Sequence, residues 1–218
     1  MKKILLIIVL LVLYILILHH KLSTVFIEKI DLNLLDDELA IIFLTSDNYK
    51  SILLKDSSMN SLLIFDINSS KNLNKNLNKF VENKLDYLFV TEDFKVDFNI
   101  NYAVKDYLNN NTNINDYLIN INDNIITISN NNYNLCIYDV GSNDNIENCN
   151  FIYFLNMNYQ LDLNEDLKAI FYEKNIENKF KENTYTKWID NYDMSDAIYN
   201  ILKLSSDSYD IITIPNQN

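Results

Sequence analysis

The sequence predicts an α/β or α+β sandwich preceded by one membrane-spanning helix. Three observations carry that expectation. A run of 15 apolar residues, 4–18, follows Met1-Lys2-Lys3. From about Ile27 onward, short apolar runs of strand length alternate with Asn, Asp and Ser breaks. Between some of those runs, apolar residues fall at helical spacing, so that strands and helices interleave.

The N-terminal run ends at His19-His20-Lys21. At 1.5 Å per residue it reaches about 22 Å, against a hydrocarbon core of about 30 Å. Residues 22–27 extend it if Lys21 snorkels. The flanking charges orient the N-terminus inward and place the remaining chain outside the cytoplasm. A cleaved signal peptide is the rival reading, because its apolar region is also short; no A-x-A-like cleavage site follows the run. Either way the domain is exported. The division expected is 1–27 as anchor or signal and 28–218 as one extracytoplasmic domain. The membrane, reached through that helix, is one expected partner, and an unknown protein or small molecule is another.

The strands follow in order. Residues 40–44 (AIIFL), 51–55 (SILLK) and 61–67 (SLLIFDI) read as three strands rich in buried-strand residues. Along 72–84, Leu73, Leu77, Phe80, Val81 and then Lys84-Leu85 fall at helical spacing, so one apolar stripe faces a sheet. Residues 85–91 (LDYLFVT) form the next strand. The middle of the chain is rich in Asn, with turns expected at 109–111 and 130–132 and a weak strand at 124–128. Strands are expected again at 135–139, 151–155 and 167–172. Residues 188–204 read as an amphipathic helix followed by a short strand. A final strand, 209–214, stops at Pro215.

Composition removes several activities. The 218 residues include 37 Asn, no Arg, 1 Gly and 1 Pro. This bias matches AT-rich codons and speaks of the coding sequence rather than of chemistry. The only histidines are His19 and His20, so the domain has no imidazole for a Ser-His-Asp triad or a zinc site. One glycine excludes the Gly-rich phosphate loops. A net charge of -12 argues against direct contact with nucleic acid. No cofactor is implied. Cys136 and Cys149 are the only cysteines. Their spacing across a turn permits a disulfide and equally permits two buried thiols. Asp162, Glu165 and Asp166 lack the glycine and terminal Glu of an EF-hand loop and read as a charged turn.

Several of these strings resemble metallo-β-lactamase-fold domains of the competence (ComEC-like) type. Residues 43–54 (FLTSDNYKSILL) are similar to the family's F-L-D-V-G-Q-G-D-S-I-L-I. Residues 62–66, ending in Asp66, fall where the family has L-L-I-D-x-G. Residues 85–91 are similar to L-D-Y-L-x-L-T, which leads into its H-x-H-x-D-H metal motif. Leu135 to Asp139 correspond to the strand before its G-D, and Cys149 to Asn158 to D-x-L-K-V-x-H-H-G-S. Residues 167–173 are similar to L-K-P-x-x-A-I-I-S. The resemblance implies a four-layer αββα sandwich, a two-metal hydrolase site, and a link to DNA uptake.

The metal motifs are lost. The H-x-H-x-D-H positions hold Glu92, Asp93, Phe94, Lys95, Val96 and Asp97. The H-H-G-S positions hold Asn156, Met157, Asn158 and Tyr159. Asp139 is the surviving candidate for the bridging carboxylate. Phe94 and Val96 have no lone pair for a metal, and two-metal hydrolysis needs ligands that fix both ions. Glu92, Asp93, Asp97, Asp139, Asp66, Asn156 and Asn158 therefore form a vestigial site. The expectation is a non-catalytic binding or scaffold protein. The alternative is a hydrolase in which the carboxylates hold a hard cation such as Ca²⁺ or Mg²⁺.

Overall fold

The computed structural model describes residues 11, 12, 14, 29–46, 49–67, 70–82, 84–90, 102–107, 111–114, 116–122, 125–138, 149–155, 166–172, 190–193 and 197–215. The described chain is two packed β-sheets with one labelled helix. The first sheet contains β1 (Leu39–Ser46), β2 (Tyr49–Lys55), β3 (Asn60–Ile67), β4 (Lys84–Val90), β5 (Ala103–Tyr107), β13 (Ala197–Leu204) and β14 (Tyr209–Pro215). The second contains β6 (Thr112–Ile114), β7 (Tyr117–Asn122), β8 (Ile125–Ser129), β9 (Asn134–Tyr138), β10 (Phe151–Phe154), β11 (Ala169–Tyr172) and β12 (Asp190–Asp193). Their strand orders are β14-β13-β1-β2-β3-β4-β5 and β12-β11-β10-β9-β8-β7-β6. Both sheets are mixed: β3, β4 and β5 run parallel, as do β9, β10, β11 and β12, and the other pairs are antiparallel.

Side-chain alternation places the core. Leu39, Ile41 and Phe43 of β1 meet Ile137 of β9, Tyr153 of β10 and Phe171 of β11 in the layer between the sheets. Phe43 stacks on Phe171 with ring centroids 4.3 Å apart. Ala40, Ile42 and Leu44 point to the other face, where Leu73 and Leu77 of helix α1 (Ser70–Leu77) cover them. The period of two along β1 therefore feeds two separate cores. In the second sheet, Cys136, Tyr138, Ile152, Phe154, Ile170 and Tyr172 form a third buried cluster on its outer face. Strands buried on both faces read as unbroken apolar runs.

These observations correct the fold expectation. The described residues are mostly strand, and they do not form a four-layer sandwich with helices outside both sheets. Apart from the helical residues 11, 12 and 14, α1 is the one helix among the described residues, and it covers part of one sheet. The helix expected in 188–204 is instead β12 and β13 over its described part. β13 lies between β1 and β14, so Tyr199, Ile201, Leu202 and Leu204 are all buried and the run imitates a helical stripe. The expected helix in 72–84 is shorter at its end, giving way to turns at 78–80. β5, β6 and β7 had no apolar run strong enough to mark them.

The membrane expectation is corrected as well. Among the described residues, no helix is long and apolar enough to cross a membrane. The single-pass anchor, the extracytoplasmic placement drawn from it and the membrane as a partner are therefore not supported. The apolar run reaches only about 22 Å at 1.5 Å per residue, which falls short of a bilayer core. Most of residues 1–27 lie outside the described residues.

Tight turns are made with almost no glycine. Three hairpin loops, 56–59, 130–133 and 205–208, share one plan. The first residue's N–H donates to the fourth residue's carbonyl at 3.1, 3.0 and 2.9 Å. The first residue's side chain accepts from the loop's own N–H groups. Asp56 Oδ1 accepts from Ser58 N at 2.6 Å and Met59 N at 2.7 Å. Asn130 Oδ1 accepts from Asn132 N at 2.9 Å and Tyr133 N at 2.7 Å. Ser205 Oγ accepts from Ser208 N at 3.2 Å. Short polar side chains thus satisfy the turn backbone.

Candidate functional site

The two sheets meet at two rims. At the first, Lys50 of β2 stands beside Asp66 of β3, and its Nζ donates to the Leu155 carbonyl at 2.8 Å. Lys50 thereby ties the start of β2 in one sheet to the residue that follows β10 in the other. β4 runs parallel to β3, with Val90 beside Ile64, and β9 runs parallel to β10, with Tyr138 beside Phe154. The strands that lead into Glu92, Asp139 and Asn156 therefore all end at this rim. Asp66 is the one residue of the vestigial set that is described, and it is half-buried. Glu92, Asp93, Asp97, Asp139, Asn156 and Asn158 lie outside the described residues. Among the described residues no group of three or more His, Cys, Asp or Glu is placed to hold a metal ion.

Cys136 and Cys149 form a disulfide, with S–S 2.00 Å and Cα–Cα 5.9 Å. It fastens β9 to the segment entering β10, inside the outer cluster of the second sheet. Tyr138 Oη lies 3.6 Å from Cys149 Sγ.

The opposite rim holds a cleft of about 400 Å³, lined by Asp37, Asp116, Tyr117, Asn130, Asn131, Asn132, Ser206 and Asp207. Its walls come from both sheets: the lead into β1 and the β13–β14 loop on one side, the β6–β7 and β8–β9 loops on the other. The framework is cross-linked by hydrogen bonds. Tyr117 Oη donates to the Leu204 carbonyl at 2.8 Å and also reaches the Asp37 carbonyl at 3.3 Å. Asn130 Nδ2 donates to the Ser205 carbonyl at 3.1 Å, and Asn132 Nδ2 to the Ser206 carbonyl at 2.5 Å. Tyr133 Oη donates to the Asp207 carbonyl at 3.2 Å. Burial pushes the Tyr117 phenol up to about 12, with the Asp37 charge adding to it and the Asn130 hydrogen bond opposing it. The hydroxyl is thus a donor throughout the physiological range. Lys203 beside the cleft is held by Glu38 at 3.0 Å.

Sequence reasoning missed this cleft. Its residues come from loops far apart in the chain, and a hydrophilic Asn run in sequence looks like any turn. The one legible signal was the repeated Asn at 130–132. No family model matches the chain, and no curated protein matches it at a significant level.

Proposed function

We propose that this protein is a non-catalytic binding or scaffold module that engages its partner through the acidic cleft between the β8–β9 and β13–β14 loops. The observation that carries the reading is the lining of that cleft. Among the described residues, three carboxylates, three amides and two hydroxyls line it, and no lysine does. Such a surface accepts hydrogen bonds and favours positive charge. The cross-linked loops hold it in place, which lowers the ordering cost of binding. The net charge of -12 draws a basic partner to the molecule from a distance. A Lys-rich segment of another protein fits this chemistry.

The resemblance to degenerate metallo-β-lactamase-like domains supports a binding role in one respect. Its quoted strings lie in residues 43–91 and 135–173, while its metal positions carry residues such as Phe94 and Val96. A scaffold that has lost its ligands keeps surfaces to bind with, and function has to be argued from those surfaces.

The test is a thermal-shift and calorimetric titration of the full chain with a Lys-rich oligopeptide, with duplex DNA and divalent cations in parallel. The expected result is a Tm that rises with the peptide and a response lost in Asp116→Asn/Asp207→Asn. A stoichiometric, tightly held divalent ion with measurable hydrolase turnover would replace the reading with the carboxylate-dependent hydrolase. Equal peptide binding by the wild type and the double variant would remove the cleft as the site.

A further inference from the structure

The β13–β14 loop turns four successive backbone carbonyls toward the other sheet, and each is taken by a side-chain donor. Tyr117 Oη donates to the Leu204 carbonyl at 2.8 Å, and Asn130 Nδ2 to the Ser205 carbonyl at 3.1 Å. Asn132 Nδ2 donates to the Ser206 carbonyl at 2.5 Å, and Tyr133 Oη to the Asp207 carbonyl at 3.2 Å. These donors stand on β7 and on the β8–β9 loop, 74 to 87 residues earlier in the chain. They form a ladder between two loops of opposite sheets.

The shape of the β13–β14 loop comes from its own bonds. Ser205 N donates to the Ser208 carbonyl at 2.9 Å, and Ser205 Oγ accepts from Ser208 N at 3.2 Å. The ladder sets something else: where that loop stands against the second sheet. It thereby places Ser206 and Asp207, which both line the cleft. Neither amide can be turned round. Asn130 Oδ1 accepts from Asn132 N and Tyr133 N, so its Nδ2 must face the Ser205 carbonyl. Asn132 faces a carbonyl, which only accepts. Asn130→Asp and Asn132→Asp therefore keep the side chain's shape, remove the donor and turn a negative charge on a carbonyl.

We infer that Asn130 and Asn132 are positioning residues of the cleft: their amide N–H groups hold the β13–β14 loop, and with it Asp207, where a cation is met. The inference rests on the cleft as the binding site. It separates acidic substitutions that charge alone would treat alike. Asn130→Asp and Asn132→Asp add a negative charge to the cleft and break the ladder. Asn131→Asp adds the same charge to the same loop, and Asn131 is not one of the four donors.

Calorimetric titration of the full chain with an oligolysine peptide tests it, with amide hydrogen exchange beside it. Asn131→Asp is expected to tighten binding about twofold, the effect of one added surface charge. Asn130→Asp and Asn132→Asp are expected to weaken it roughly fivefold in spite of their charge, because the freed loop must be ordered on binding. In Asn132→Asp the Ser205 and Ser208 amides are expected to exchange about tenfold faster, while the amides of β1 keep their wild-type rates. Tighter binding in all three variants, or Ser205 and Ser208 amides that exchange at the wild-type rate, overturns the inference. A wild type that binds no peptide removes the cleft as the binding site. Faster exchange in Asn132→Asp would then still support the ladder as what places the loop, and unchanged exchange would overturn it.

Discussion

Asp86 of β4 shows how a carboxylate is kept in a sheet. Only 6% of its surface is exposed. It accepts from Lys84 Nζ at 2.7 Å and from the Asn60 N–H at 3.1 Å. Burial alone raises its pKa, but the Lys84 hydrogen bond, the Asn60 N–H and the charges of Lys84 and Lys105 outweigh it and hold the group below 3.8. A carboxylate depressed in the folded state stabilises the fold above its unfolded pKa, and that stability fades as pH falls through the folded value. Asp86→Ala is expected to cost about 1–3 kcal/mol at pH 7, because the Asn60 N–H loses its acceptor. Urea melts of both proteins at pH 7 and pH 3 check the sign: the gap should narrow at the lower pH. A gap independent of pH would mean that the charge of Asp86 is not what matters.

Lysines that hold carbonyls in the turn after α1 belong to the same scale. Lys55 Nζ donates to the Phe80 carbonyl at 2.6 Å and Lys29 Nζ to the Val81 carbonyl at 3.1 Å. Burial, assisted by the Lys29 charge, lowers the pKa of Lys55, while Asp31 and Glu82 oppose the shift. Cations near a helix C-terminus satisfy carbonyls that have no partner within the helix.

At the scale of elements, the disulfide and the hairpin loops fix which strands meet. Cys136 and Cys149 are 13 residues apart in sequence, and closing a loop of that size removes about 3 kcal/mol of unfolded-state entropy. Cys136→Ala/Cys149→Ala is expected to lower the Tm by roughly 6–12 °C, given about 2–4 °C per kcal/mol for a domain of this size. Differential scanning calorimetry of the oxidised, reduced and double-variant forms measures it. Equal Tm values would show that packing of the outer cluster alone holds β9 and β10 together. β1, β2 and β3 were readable in sequence because each is a long, nearly unbroken apolar run buried on both faces. β5 to β7 were unreadable because their residues are exposed or Asn-rich, so neighbouring strands rather than composition determine them. Residues 188–204 were misread for the opposite reason: β13 is buried on both faces, and apolar periodicity cannot separate such a strand from a helix.

The whole molecule is a sandwich locked at both rims, by Lys50 at one and by Tyr117, Asn130 and Asn132 at the other. Buried phenols accompany each region. Burial raises Tyr102, Tyr117 and Tyr199 to about 12. Tyr102 Oη bonds to Asn78 Oδ1, and Tyr199 Oη donates to Asn76 Oδ1 at 2.6 Å. Groups with a raised folded pKa stabilise the fold below their unfolded value, near 10, and that stability is lost as pH climbs toward 12. Base-induced unfolding is therefore expected to set in above about pH 10, with part of the tyrosinate absorbance at 295 nm appearing only as the fold is lost. Full tyrosine ionisation before any change in the far-UV spectrum would contradict this.

Composition and apolar runs by themselves showed that the histidines are confined to positions 19 and 20 and located the strands of the centre. Ligand types are counted in a sequence, and an unbroken apolar run is a local property of a strand buried on both faces. Only the tertiary structure decided that, among the described residues, one helix covers part of one sheet, and that Cys136 and Cys149 are bonded. It also decided that Asn130, Asp37 and Asp207 share a cleft. Each depends on which distant segments meet. That is settled by burying apolar faces together, and not by the propensity of any one segment.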